Sequence, residues 1–94
     1  MVTLRLVAIR SLKEKRGLLS SLLSRARQRF NVAIAEVGAQ DSHHTAVLGY
    51  SCVANKSAHA EEQISVVLRF IEAQVLGRAE VVDCQTEVLS GFAD

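Results

Sequence analysis

Three groups of residues in this chain are of types that do chemistry. His43 and His44 are adjacent, with Asp41 two positions before. Two imidazoles and a carboxylate can relay a proton or begin a metal site. They lie, however, in the polar run Gly38 to His44, whose Gly, Gln, Asp and Ser residues read as an exposed turn. His59 falls in the first turn of a helical segment and reads as a surface residue. Cys52 and Cys84 each lie in an apolar run, with no Cys-x-x-Cys spacing. They read as two buried thiols rather than a zinc site, and the spacing leaves a disulfide between them open. No Gly-x-Ser-x-Gly elbow and no glycine-rich phosphate loop occurs. The expectation is therefore no catalytic residue, no metal, no cofactor and no enzyme.

The third group is basic. Residues 1 to 30 hold eight Lys and Arg residues against Glu14 alone, while the remainder holds three against nine acids, so a net charge of only +1 hides strong segregation. Such a cationic segment can steer a polyanion or an acidic partner. Local helix capping accounts for part of it, but a surface built for stability would interleave signs, and Arg25, Arg27 and Arg29 follow with no further acid on the helix. The candidate nucleic-acid-binding residues are Arg10, Lys13, Lys15, Arg16, Arg25, Arg27 and Arg29. They would touch phosphates and shape, because nothing here supplies a sequence-reading motif.

The elements that must position these residues follow from periodicity. Val2, Leu4, Leu6 and Ala8 alternate as a strand with one face on a core. Ser11 and Glu14 have the spacing of a capping box and start a helix. Its apolar stripe is Leu12, Leu19, Leu22, Leu23, Ala26 and Phe30, and Lys13, Arg16, Ser20, Ser24 and Arg27 collect on one flank. Val32 to Val37 and Thr45 to Ala54 read as strands paired antiparallel through the polar turn. A second helix is expected from Ser57 to Gln74, with Asn55 or Ser57 as cap, Glu61 and Glu62 in its first turn and Gly77 as stop. Ala79 to Leu89 reads as a last strand with Val82, Cys84, Thr86 and Val88 on one face, and Gly91 to Asp94 as a loose tail.

The order βαββαβ has one economical solution, a single α+β domain over residues 1–94 in which right-handed crossovers place both helices on one face of an antiparallel sheet ordered 4-1-3-2. That is the ferredoxin-like sandwich. Its uncovered face would carry Val7, Val47 and Val53 among Thr, Gly and Ser, with Arg5 opposite Asp83 or Glu87, and such a face is expected to mediate a homodimer. The RNA recognition motif shares this topology and stacks bases on sheet-face aromatics, but Phe30, Tyr50, Phe70 and Phe92 do not fall on that platform. No apolar run approaches the roughly 20 residues of a membrane span, and the first nine residues do not read as a signal peptide, so a cytoplasmic address is expected.

The strings Arg10-Ser11-Leu12-Lys13-Glu14-Lys15-Arg16, Phe30-Asn31-Val32 and Ala35-Glu36-Val37-Gly38, with Asp41, Leu48-Gly49 and Arg69-Phe70-Ile71-Glu72, resemble the YlxP-like family of small bacterial proteins, a domain of unknown function. The resemblance covers nearly the whole chain, and the first string is its most specific part. It implies a ferredoxin-like fold and a gene neighbourhood among transcription, translation and ribosome-maturation factors, hence an RNA- or ribosome-associated role, and no established reaction. Two departures stand out: Val7-Ala8-Ile9 lacks the Pro often found there, and Ser42-His43-His44 stands where an aromatic residue is frequent. Two readings result. The first is a non-enzymatic protein whose basic first helix contacts RNA or a ribosomal particle. The second is a homo-oligomeric or small-ligand regulatory module working through the open sheet face.

Overall fold

The computed structural model describes residues 1–89, so the tail expected at 91–94 lies outside the described residues. The elements are β1 (Val2–Leu6), α1 (Leu12–Arg29), β2 (Ala33–Gly38), β3 (Thr45–Ser51), α2 (Ser57–Gln74) and β4 (Ala79–Cys84). The four strands form one antiparallel sheet in the order β2-β3-β1-β4, the 4-1-3-2 arrangement of the ferredoxin-like fold. Val2, Leu4 and Leu6 of β1 and Ala46 and Leu48 of β3 are buried on the helix side with Leu18, Leu19, Leu22, Val67 and Ile71. Each large side chain so buried contributes on the order of 1.5–3 kcal/mol. Thr3, Arg5, Val47 and Gly49 alternate with the buried strand residues onto the uncovered face.

The start of α1 is capped largely as its sequence demands. Ser11 is extended (φ −154°, ψ 163°) and its Oγ accepts from Glu14 N at 3.1 Å. Glu14 Oε2 reaches back one residue further than in the usual capping box, accepting from Arg10 N at 3.1 Å. The apolar stripe is rotated from the expected one: Leu18, outside the expected stripe, is buried, while Leu12, Leu23 and Phe30 are half-buried at its rim.

Strand ends differ from expectation for local reasons. β1 stops at Leu6 because Val7 N and Ala8 N turn to Arg78 O, at 3.0 and 3.4 Å. In α2 the cap position falls on Lys56, without a side-chain hydrogen bond. With the helix beginning at Ser57, Glu61 and Glu62 drop into the second turn and the first turn holds no acid. Gly77, at φ +83°, takes the left-handed conformation that stops the helix. β4 ends at Cys84 rather than Leu89, and its faces are corrected by a bulge: Leu4 pairs with Val81 and Thr3 with Asp83, leaving Val82 extra. Val81, not Val82, packs against the core, and Val82 is 53% exposed.

Candidate nucleic-acid interface

Helix α1 divides its cations among three settings. Lys15 lies three, four, seven and eleven residues before Leu18, Leu19, Leu22 and Ala26, in line with the buried stripe, and is itself only 2% exposed. A lysine so buried must be paired. Its Nζ donates to Ala39 O, Ser42 O and Thr45 O at 2.7, 2.6 and 2.8 Å. Glu36 Oε2 lies 2.8 Å from the same nitrogen. That oxygen accepts no hydrogen bond, because the three ammonium protons are taken by the three carbonyls, so its contribution is charge alone. Lys15 is therefore removed from the expected phosphate-contacting set. It holds the β2–β3 turn, where Ala39 has φ 55°, Ser42 N donates to Ala39 O and His44 N to Ser42 Oγ.

On the flank facing the β2 edge, Lys13, Arg16 and Arg27 are all exposed, as the helical spacing requires. Arg27 is nonetheless engaged: its Nη2 donates to Ile34 O of β2 at 2.7 Å. Among the described residues Lys13 and Arg16 meet no carboxylate, and neither does the side chain of Arg10 just before the cap. Among the described residues only two ion pairs form, Lys15 with Glu36 and Arg5 with Glu80. Arg5 thus pairs with Glu80 rather than with Asp83 or Glu87.

On the flank toward α2, Arg25 Nη1 donates to Gln74 Oε1 at 3.1 Å. The Arg29 guanidinium lies 5.6 Å from the ring centre of Phe30 and 5.4 Å from that of Phe70, and the two rings meet edge to face at 5.2 Å. The seven expected residues do not form one strip. Arg10, Lys13 and Arg16 stay free for a partner, Arg25 and Arg29 brace the helix pair, Arg27 covers a strand edge, and Lys15 is internal.

The other candidates resolve more simply. The His43 and His44 rings sit 4.1 Å apart on the turn. No group of three or more His, Cys, Asp and Glu residues able to hold a metal occurs among the described residues. The thiols are free, but they are not both buried: Cys52 is half-buried and Cys84, at the last position of β4, is exposed. Between the ends of β3 and β4 lies a cavity of about 550 Å³ lined by Tyr50, Ile64, Cys84, Gln85, Thr86 and Glu87, with Met1. Tyr50 donates its hydroxyl proton to Ile64 O at 3.1 Å. Burial first, and then the nearby Cys84 and Cys52, push its pKa up to about 12. The group is thereby held neutral, unsuited to act as a base. No helix among the described residues is long and apolar enough to cross a membrane.

An α+β sandwich with a cationic first helix and a lysine-locked hairpin is the class of protein that the geometry defines. Residues 1–86 match a family described as protein of unknown function (DUF503), and the chain belongs to that family. It is 38% identical over 63 residues to the uncharacterized protein YlxP of Bacillus subtilis (strain 168), the match covering 67% of this chain and 68% of that protein. The buried Lys15 lies within the Arg10 to Arg16 string that marked the resemblance.

Proposed function

We propose that this protein is a non-enzymatic binding module that contacts RNA, in the setting of ribosome maturation or translation, through the cationic start of α1. The observation that carries this reading is that Arg10, Lys13 and Arg16 are exposed and meet no carboxylate among the described residues, although these include acids enough to neutralise them. Charges left unpaired at one end of one helix form a patch for phosphates. Contact would run through backbone charge and shape. The described aromatic residues lie on the helix side, Phe30 against Phe70 and Tyr50 against α2, away from the face on which an RNA recognition motif stacks bases.

The test is the affinity for a mixed-sequence RNA oligonucleotide, measured against salt, for the native chain and for a variant with Arg10, Lys13 and Arg16 changed to Glu. Arg27 is left untouched because it serves the β2 edge. Loss of binding in the variant, with unchanged thermal unfolding, is the expected result. Equal affinity and equal salt slope would remove the helix as the contact surface.

A second reading draws on a different observation. On the uncovered sheet face, Arg5 and Glu80 neutralise each other, Val37 is 53% exposed, and Ala35 and Gly49 leave the surface low. A neutral apolar face suits a second copy of the chain.

A further inference from the structure

The groove between α1 and the end of α2 carries two arginines, of which Arg25 also braces the helix pair through Gln74 while the side chain of Arg78 does not. It encloses about 180 Å³ and is lined by Gly17, Ser21 and Arg25 of α1 and by Gln74 and Arg78, over a floor of Leu18 and Leu22. At roughly 30 Å³ per water, this is room for a phosphate group with a few waters around it. Among the described residues no carboxylate lines it. Arg25 is oriented by a neutral acceptor, Gln74 Oε1, which fixes the guanidinium without cancelling its charge. Arg78 is anchored by its backbone: its N donates to Val75 O at 2.9 Å, and its O accepts from Val7 N and Ala8 N. Among the described residues its side chain meets no acid.

Two guanidinium groups that share a cavity without a counter-ion repel each other, and a bound oxyanion relieves the repulsion. Gly17 adds a second line of argument. A glycine inside a helix costs about 1 kcal/mol relative to alanine. Close packing does not require it here, since a Cβ at this position would meet nothing within 4 Å. What the missing side chain leaves is an open mouth. Lys13, Gly17, Ser21 and Arg25 also follow one another at four-residue intervals, so they form an inclined row that crosses the exposed face from the β2 flank to the α2 flank, about 18 Å along the axis. The row has a cation at each end and small residues between, the profile of a seat for a nucleic-acid backbone.

We infer that this groove binds one phosphate group of an RNA backbone between Arg25 and Arg78, with Ser21 Oγ as a further donor. The inference rests on the RNA-binding reading above and adds a discrete site to it. In the test, Arg25 and Arg78 are both changed to Gln, and in a separate variant Gly17→Asp places a carboxylate at the mouth. Binding of the same RNA oligonucleotide should weaken roughly tenfold in each. In the double variant the slope of log affinity against log salt should flatten by about 1. Inorganic phosphate should shift the Arg25 and Arg78 Nε–H resonances of the native chain.

Unchanged affinity and slope in the Gln variant, with binding still lost when Arg10, Lys13 and Arg16 are changed, would overturn the groove and leave the cationic helix standing. If the native chain bound no RNA, the broader reading would fall. The phosphate titration would then decide the groove: selective shifts at Arg25 and Arg78 would sustain it as a phosphate site, and their absence would overturn it.

Discussion

Lys15 Nζ stands 2.8 Å from Glu36 Oε2, yet three backbone carbonyls, not the carboxylate, receive its protons. The lysine thus serves the β2–β3 turn first and the acid second, and the two partners should respond unequally to substitution. Lys15→Met strands three carbonyls and a carboxylate that is only 22% exposed, and removing one member of a buried pair costs about 3–5 kcal/mol. Glu36→Gln leaves the carbonyls satisfied and should cost nearer 1 kcal/mol. Urea unfolding of the two variants checks the order, and equal losses would refute the division of labour.

Tyr50 is the chain's one tyrosine and there is no tryptophan, so its ionisation can be followed by ultraviolet absorbance without interference. In the folded protein the midpoint should lie near pH 12, against about 10 in urea. Because the folded pKa is the higher one, the stabilising contribution of the neutral phenol is intact below pH 10 and is lost as pH rises from 10 through 12. A midpoint near 10 in the native protein would mean that the hydroxyl is not held against α2.

A homodimer through the uncovered sheet face is expected to appear in sedimentation equilibrium as concentration rises into the high micromolar range. Val37→Lys, at an exposed position on that face, should return the chain to a monomer without altering its circular dichroism. A monomer at every concentration would leave the face as solvent-exposed surface.

Much of this architecture was legible in the residues. Alternation in Val2 to Leu6 and the spacing of Ser11 and Glu14 reported a strand and a helix start because each is a local effect, decided within a few residues. The sheet order followed from chain handedness. What escaped was non-local. In sequence Lys15 is one more member of a basic run, and its burial depends on carbonyls 24 to 30 residues away. Its alignment with Leu18, Leu19 and Leu22 was the signal available. The bulge at Val82 shifted the β4 faces, because a ladder irregularity against β1 leaves no periodic mark in β4 itself. Arg78 gave no hint either: it joins Arg25 only through the packing of one helix end on another.

Both outer strands of the sheet are irregular along their length. β2 shifts register between Glu36 and Gly38, with Arg27 seated on Ile34 O beside it, and β4 shifts opposite Thr3 and Leu4. A straight outer strand offers its spare N–H and C=O groups as a template on which further chains add and fibrils grow. A bulge in each outer strand, and an arginine seated on one carbonyl of β2, make these margins poorer templates than a straight strand. The uncovered sheet face can thus stay open to solvent while neither margin of the sheet is a regular edge for a further strand to extend.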